Sequence, residues 1–189
     1  MTYPEKTVIL RDGRACVLRV PCAEDAESLL AFLHTIALET EYILWTPEEP
    51  FPTLEGEIAY IENLVQSPQV LSLIADVEGE IAGNCQIQFN SKWKVAHRSS
   101  IAIALQQKFW GLGIGTALLH ELLGEAERRG VRQTELDVVA ENSRARGLYE
   151  KMGFHTVATL PAAIRFTDGS FHDEVHMIRI NTIKKEIRP

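Results

Sequence analysis

The sequence has few of the features that mark secreted, membrane or metal-binding proteins. Its three cysteines, Cys16, Cys22 and Cys85, are odd in number, and no two stand at metal-ligand spacing. This argues against a disulfide framework or a zinc site. No segment approaches the roughly 18 apolar residues that span a bilayer, and residues 1–6 lack the basic and then apolar pattern of a signal peptide. We therefore expect a cytoplasmic protein with no metal and no membrane partner.

Basic residues are also in the minority. The chain has 19 Lys and Arg against 26 Asp and Glu, a net charge of −7, which argues against general nucleic-acid binding. Internal repeats and low-complexity runs are absent from the sequence. Hydrophobic residues make up 46% of the 189 residues, enough for a folded core. We expect a single domain over residues 1–189.

Hydrophobic periodicity predicts a chain in which strands and helices are mixed. The expected strands cover 7–10, 15–20, 70–76, 81–89, 97–105, 133–139, 154–160 and 174–180, and the first two are alternatively one strand preceded by an extension. The expected helices begin at 23, cover 54–65 and 114–129, and follow Asn142. Gly79 marks a hairpin turn between the third and fourth strands.

The most informative segment begins at Trp110 and contains three glycines at alternate positions, Gly111, Gly113 and Gly115. It follows the apolar run 100–105 and opens an amphipathic segment, which indicates a strand, a turn and a helix. The first N–H groups of a helix have no intrahelical partner, and the helix dipole adds positive potential there. Such a terminus binds phosphate through its backbone.

Two familiar phosphate-binding motifs do not fit this loop. A P-loop ends in Gly-Lys-Ser or Gly-Lys-Thr, whereas Thr116 follows Gly115 directly. The dinucleotide fingerprint requires a different spacing of its third glycine, which disfavours an NAD-dependent oxidoreductase. A plain glycine-rich turn between a strand and a helix is the remaining non-functional interpretation.

The segment 110–115 instead resembles the coenzyme A loop of the GNAT N-acetyltransferases, in which Arg or Gln, two residues, Gly, one residue, and Gly or Ala follow one another. Trp110 departs from the usual Arg or Gln, but the family's contacts here are mainly made by the backbone. The later segment 136–154 resembles the family's next block, a strand, an Asn, a short helix with Leu-Tyr, and Gly-Phe. Asn142 or Ser143 is suited to cap that helix.

The resemblance implies an α+β (mixed α/β) GNAT fold, with a splayed mixed central sheet of six to seven strands and about four helices. The runs 99–105 and 133–139 are then the two strands that part, with coenzyme A between them. It implies transfer of an acetyl group from acetyl-CoA to a primary amine of a small molecule or peptide, by direct attack in a ternary complex. A non-catalytic acyl-CoA sensor is the alternative. Relatives are often dimers, so a homodimer is a further expectation.

The resemblance also assigns residues to the cofactor. Backbone groups at the strand end are expected to hold the pantetheine arm and the acetyl carbonyl: Ile103, Ala104 and Leu105. Amides of the loop are expected to hold the pyrophosphate: Gly111, Leu112, Gly113, Ile114, Gly115 and Thr116. Asn142 is expected to make a polar contact with the cofactor, and Tyr149 to place its hydroxyl near the sulfur as general acid. A core tyrosine is the alternative for Tyr149.

The general base is less clearly marked, because the strand before the loop lacks the Glu that many relatives carry. Asp137 aligns with a strand carboxylate that serves as base in relatives acting on protein N-termini, and an exposed strand Asp is the alternative. His97 has a reference pKa of about 6.5, suitable for a base. Glu39, Glu41 and Asp173 are further candidates, as is a chain of water molecules.

The acceptor pocket is expected to form from the loop 39–52, the strand near 94–98 and the C-terminal hairpin. Trp45 and Trp93 are the expected walls, and Glu41, with other acidic residues of the loop, is expected to attract an ammonium group. A solvated acidic loop is the alternative. A free amino acid, a polyamine, an aminoglycoside-like compound and a protein N-terminus remain open as acceptors.

Overall fold

The computed structural model describes residues 3–181, which form eight strands and four α-helices. The strands are β1 Lys6–Ile9, β2 Ala15–Arg19, β3 Val70–Val77, β4 Glu80–Phe89, β5 Arg98–Leu105, β6 Gln133–Val139, β7 His155–Arg165 and β8 Phe171–Ile180. The helices are α1 Ala26–Glu39, α2 Leu54–Gln66, α3 Ile114–Arg128 and α4 Ser143–Lys151. Single 3₁₀ turns precede α1 at Ala23–Asp25 and α3 at Gln107–Phe109.

All eight strands belong to one sheet, in the order β1-β2-β3-β4-β5-β6-β8-β7. Only β5 and β6 run parallel among the paired strands, and α3 is the crossover that connects them. The hairpin predicted at Gly79 is confirmed: Glu78 and Gly79 both have positive φ and join β3 to β4 in a two-residue turn. The mixed sheet and the four helices confirm the predicted fold class.

The predicted count of six to seven strands was too low. The first strands stay separate because Leu10 N–H donates to Arg14 C=O and closes a turn between β1 and β2. The last pair is longer than predicted, since β7 continues past Pro161 to Arg165. Register shifts in the β7–β8 pairing and the positive φ of Ala162 accommodate this proline on an edge strand.

Helices cover both faces of the sheet. On one face α3 contributes fully buried residues such as Leu118 and Leu122, which share a cluster with Leu73 of β3. On the other face Phe32 of α1 belongs to a second cluster that includes Ile74, the next residue of β3. Since successive strand residues point to opposite faces, the two clusters lie on opposite sides of the sheet.

The gap predicted between the strands 99–105 and 133–139 is confirmed. β5 and β6 pair at three positions only, from Arg98↔Gln133 to Ser100↔Glu135. Beyond them β5 continues to Leu105, paired with β4, and β6 continues to Val139, paired with β8. The strands are therefore joined at their amino-terminal ends, here called the closed end, and separate toward their carboxyl-terminal ends, here called the open end.

A buried polar network marks the closed end. The side chains of Ser99 and Thr134 are fully buried, and their hydroxyl oxygens lie 3.1 Å apart. Asn181 Nδ2–H donates to Thr134 Oγ1 at 3.0 Å. Arg98 Nε–H donates to Glu135 Oε2 at 3.1 Å across the same pair of strands. These bonds hold the two strands together at one end only.

Candidate active site

The open end leads into a cavity of about 780 Å³, a volume typical of small-molecule sites. Its walls come from β4, β5, β6, β8, the glycine loop, α4 and the segment that follows α1. Thirteen of the predicted site residues line it: Glu41, Trp45, Ile103, Ala104, Leu105, Gly111, Gly113, Ile114, Gly115, Thr116, Asp137, Asn142 and Tyr149.

The three glycines of the loop serve two different purposes. Gly111 and Gly113 have φ values of 78° and 102°, in the left-handed region where a side chain is strained. Gly113 is also the residue from which α3 begins. Gly115 lies inside the helix, and a Cβ on it would come within 2.9 Å of the Leu148 side chain. Its small size therefore allows α3 and α4 to pack closely beside the cavity.

Trp110, which departs from the family pattern, has a structural role. Its indole Nε1–H donates to the Leu105 carbonyl at 3.0 Å and so ties the loop to the end of β5. The Arg144 guanidinium lies 4.8 Å from the centroid of its ring. Arg11 Nη1–H donates to the Gly111 carbonyl at 3.0 Å. Two arginines therefore stand at the glycine-loop end of the cavity.

Leu112 is the predicted loop residue that the cavity lining leaves out. Its carbonyl accepts a hydrogen bond from Arg11 N–H at 3.2 Å, and its side chain packs against the core below α3. Arg11 and Arg144 were missed by the sequence analysis. Arg11 is a hundred residues from Gly111 along the chain, and no local pattern connects the two.

Asn142 and Tyr149 border the cavity from α4. The Asn142 side chain caps this helix, because its Oδ1 accepts a hydrogen bond from Ala145 N–H at 3.1 Å. Tyr149 is buried, with its ring edge-to-face against Phe154 at 6.0 Å. Burial raises the pKa of the Tyr149 phenol to about 12. The hydroxyl therefore stays protonated near neutral pH, the state that a proton donor requires.

Asp137 lies on β6 where the gap is open. Its Oδ1 is 2.6 Å from His176 Nδ1 on β8, and its side chain is about half exposed. Glu174, two residues before His176, lines the same cavity. Burial raises the pKa of the Glu174 carboxyl, and the nearby Asp137 adds to this effect. The antiparallel register of β6 and β8 brings these groups together.

The predicted positions of His97 and Trp93 in the site are wrong. His97 immediately precedes β5, and its carbonyl accepts hydrogen bonds from Arg132 and Gln133 N–H at the closed end. The open end lies about seven residues further along β5, roughly 20 Å away at the rise of a strand. Trp93 is 88% exposed in a surface turn. Neither residue, nor the predicted wall near 94–98, lines the cavity.

The segment after α1 forms part of the cavity wall. Its Glu41 carboxylate accepts hydrogen bonds from the backbone N–H and the hydroxyl of Thr167, in the turn between β7 and β8. Tyr42 contacts Phe166 of the same turn edge-to-face at 6.0 Å. Trp45 stacks on Phe51 with ring centroids 5.5 Å apart. The loop is thus fastened over the cavity by contacts that the sequence analysis did not predict.

Two other acidic candidates are engaged elsewhere. Glu39 Oε2 accepts from Gln107 N–H at 2.7 Å, and Asp173 Oδ1 accepts from Ala162 N–H at 2.9 Å. Neither lines the cavity. Of the three carboxylates proposed as further bases, only Glu41 reaches it. The cavity lining also contains two polar side chains that were not predicted, Tyr60 and Gln86, and Tyr60 Oη–H donates to Gln86 Oε1 at 3.3 Å.

The chain belongs to the acetyltransferase (GNAT) family, whose model matches residues 31–154. It is 26% identical to the L-amino acid N-acetyltransferase AaaT of Escherichia coli K12 over 121 residues, 63% of this chain and 74% of that protein.

Solved structures share the fold. The acetyltransferase of the GNAT family from Streptococcus pneumoniae superposes with a TM-score of 0.81 at 27% identity, covering 87% of this chain and 99% of that one. A phosphinothricin acetyltransferase from Sinorhizobium meliloti, solved in complex with acetyl-CoA, gives a TM-score of 0.76 at 21% identity, with 92% of both chains covered.

Within residues 3–181, no helix is long and apolar enough to cross a membrane. The same described residues contain no group of three or more His, Cys, Asp or Glu side chains arranged to hold a metal ion. A cytoplasmic location, a homodimer and the absence of a nucleic-acid partner remain predictions from the sequence.

Proposed function

We propose that the protein transfers an acetyl group from acetyl-CoA to a primary amine by direct attack in a ternary complex. The observation that supports this best is the continuity of the cavity. It joins a phosphate-binding loop at Gly113, the gap between β5 and β6, and the Asp137 carboxylate. Membership of the acetyltransferase family supports the same reaction.

We infer one orientation for acetyl-CoA in this cavity. The diphosphate is placed at the amino terminus of α3, where the N–H groups of 113–116 lack intrahelical partners. Arg11 and Arg144 add positive charge at the same end. The pantetheine arm follows the edge of β5 that no longer pairs with β6. Consecutive strand residues direct their backbone groups to opposite edges, so one of Ile103 and Ala104 offers free backbone groups on this edge and the other faces β4.

The proposed chemistry needs three proton transfers, two from the nitrogen of the acceptor and one to the departing thiolate. The amine of the acceptor loses its proton to Asp137, because an ammonium has no lone pair for attack. Its nitrogen then forms a bond to the thioester carbonyl carbon, and backbone N–H groups of β5 stabilise the oxyanion. The C–S bond breaks, and the departing thiolate takes a proton from the Tyr149 hydroxyl. The new amide nitrogen loses its second proton, which restores the Tyr149 hydroxyl through water, and Asp137 releases its proton to solvent. His176, hydrogen-bonded to Asp137, positions the carboxylate.

The test is release of free coenzyme A thiol from acetyl-CoA in the presence of a panel of amines, with binding of acetyl-CoA measured separately by calorimetry. We expect binding, and thiol release only when an acceptor amine is present. Binding or thermal stabilisation by acetyl-CoA, without thiol release for any amine, would favour the acyl-CoA sensor instead. Failure of acetyl-CoA to bind at all would overturn both the acetyltransferase and the sensor hypotheses.

A further inference from the structure

The charged residues that line the cavity are separated by sign. The two arginines, Arg11 and Arg144, both contact the glycine loop or its Trp110 neighbour. The three carboxylates that line the cavity, Glu41, Asp137 and Glu174, are linked instead to β8 and to the turn between β7 and β8, here called the acceptor end. Within the described part of the chain, no Lys or Arg lines that acceptor end.

Among residues 3–181, no Lys or Arg is paired with any of the three carboxylates. Glu41 is bonded to the neutral groups of Thr167. Asp137 contacts His176, whose other ring nitrogen lies 4.0 Å from Glu135. Glu135 itself is paired with Arg98 at the closed end and does not line the cavity.

Two of the carboxylates are close neighbours. Asp137 pairs in register with His176 and Val139 pairs with Glu174, so Asp137 and Glu174 occupy diagonal positions on one face of the sheet. Such positions are about 7–8 Å apart. Like charges at this distance repel, and a bound cation relieves the repulsion. Even a protonated His176 leaves the acceptor end with two negative charges.

One ammonium group neutralises only part of this charge, whereas a second cationic centre on the same molecule matches the rest. The lining of the same cavity also includes apolar side chains, among them Ile36, Ile43 and Ile164. Methylene groups pack against such walls, and ammonium groups at their ends reach the carboxylates. A free α-amino acid instead brings a carboxylate next to its reacting amine, where this end has no cation to receive it.

Resting on the proposed acetyltransferase activity, we propose that the acceptor is a short aliphatic diamine or polyamine rather than an α-amino acid. Asp137 takes the proton from the reacting amine, while Glu174 and Glu41 bind the distal ammonium. The site thereby favours acceptors with two or more ammonium groups over those with one, and it disfavours acceptors that carry a carboxylate.

Matched acceptors provide the test, with thiol release as the readout. Ornithine is 1,4-diaminobutane with one added carboxylate, and 1-aminobutane is the same diamine without its second charge. We expect kcat/KM for 1,4-diaminobutane to exceed that for each of the other two at least about tenfold, the factor that one interaction of about 1.4 kcal/mol provides. Equal or higher kcat/KM for ornithine, for 1-aminobutane or for a peptide N-terminus would overturn the proposal.

Two substitutions test whether Glu174 causes the preference for a diamine. Glu174→Gln should reduce the preference for 1,4-diaminobutane over 1-aminobutane, whereas Glu62→Gln, on an exposed face of α2, should leave it unchanged. An unchanged preference in Glu174→Gln contradicts the assigned role of that residue. Thiol release with amino acids but not diamines rejects this substrate class and keeps the acetyltransferase. Acetyl-CoA binding without thiol release for any acceptor rejects the activity itself.

Discussion

The two ends of the β5–β6 pair differ in how they use polar groups. At the closed end Ser99, Thr134 and Asn181 bury their side chains and satisfy one another by hydrogen bonds. At the open end β5 has only alanine, isoleucine and leucine side chains, and its backbone edge toward β6 has no strand partner. Polar side chains thus hold the strands together at one end, and unpaired backbone groups are left for a ligand at the other.

This difference separates stability from function along one pair of strands. A buried polar network is costly to break, because each member left unpaired loses its hydrogen bonds and remains out of water. Backbone groups on a strand edge beside a cavity bear no such cost, because water or a substrate can form hydrogen bonds with them. We therefore expect substitutions at the closed end to lower the free energy of unfolding, and those at the open end to lower activity.

The largest effect is expected at the open end for Asp137→Asn. The substitution keeps the shape of the side chain and removes its ability to take a proton, so kcat should fall by about 10²–10⁴-fold. Steady-state thiol release measures this, and calorimetry should show an unchanged Kd for acetyl-CoA. Turnover equal to that of the unmodified protein would exclude Asp137 as the base.

Tyr149→Phe is expected to have the next largest effect. It removes the hydroxyl assigned as proton donor and keeps the ring that packs on Phe154, so kcat should fall about 10²-fold with little change in acetyl-CoA affinity. Since burial raises the pKa of this phenol to about 12, loss of its proton should not limit activity between pH 6 and about 9. A pH–rate profile with an alkaline limb that disappears in Tyr149→Phe would contradict this.

At the closed end, Thr134→Val should cost stability and not activity. Asn181 and Ser99 lose a hydrogen-bond partner in a fully buried place, which should lower the free energy of unfolding by about 1–3 kcal/mol. Urea denaturation measures the change, and KM for acetyl-CoA should not move. Thr156→Val, on the exposed strand β7, serves as the control and should stay within about 0.5 kcal/mol.

The sharpest comparison uses two glycines near the two ends of α3. Gly113 and Gly130 both have positive φ, and at neither would an added Cβ meet an atom within 4 Å. Gly113→Ala and Gly130→Ala should therefore each lose about 1–2 kcal/mol of stability. Only Gly113→Ala should weaken acetyl-CoA binding, by about tenfold. Equal Kd values for the two variants would remove the α3 amino terminus from the phosphate site.

Local patterns predicted the parts of the site that are continuous in sequence. The glycine loop and the α4 block, with Asn142 and Tyr149, line the cavity because a turn and a helix start are determined by residues a few positions apart. The bounds of α2 and α3 agreed to within one residue for the same reason, whereas the first helix, predicted to begin at 23, starts with a 3₁₀ turn and is α-helical only from Ala26. Asp137 was found because it adjoins that block.

The residues that were missed come from distant parts of the chain. Arg11 contacts the loop from the first hairpin, and Glu174 and His176 face Asp137 through the register of β8. His97 was misplaced because it precedes the strand β5 at the closed end. The sequence of β5 does not show at which of its two ends the strand separates from β6. These positions depend on pairing and strand direction, which nearest neighbours in the sequence do not specify.

The sequence by itself determined the order of elements, the glycine loop and the family's helix with its tyrosine, since each depends on short-range backbone preferences and spacing. Tertiary structure alone decided where β5 and β6 part and which charges meet across the cavity. The physical reason is that hydrogen-bonded pairing between β5 and β6 stops after three positions. Only the folded sheet brings the carboxylates and the arginines into the same cavity.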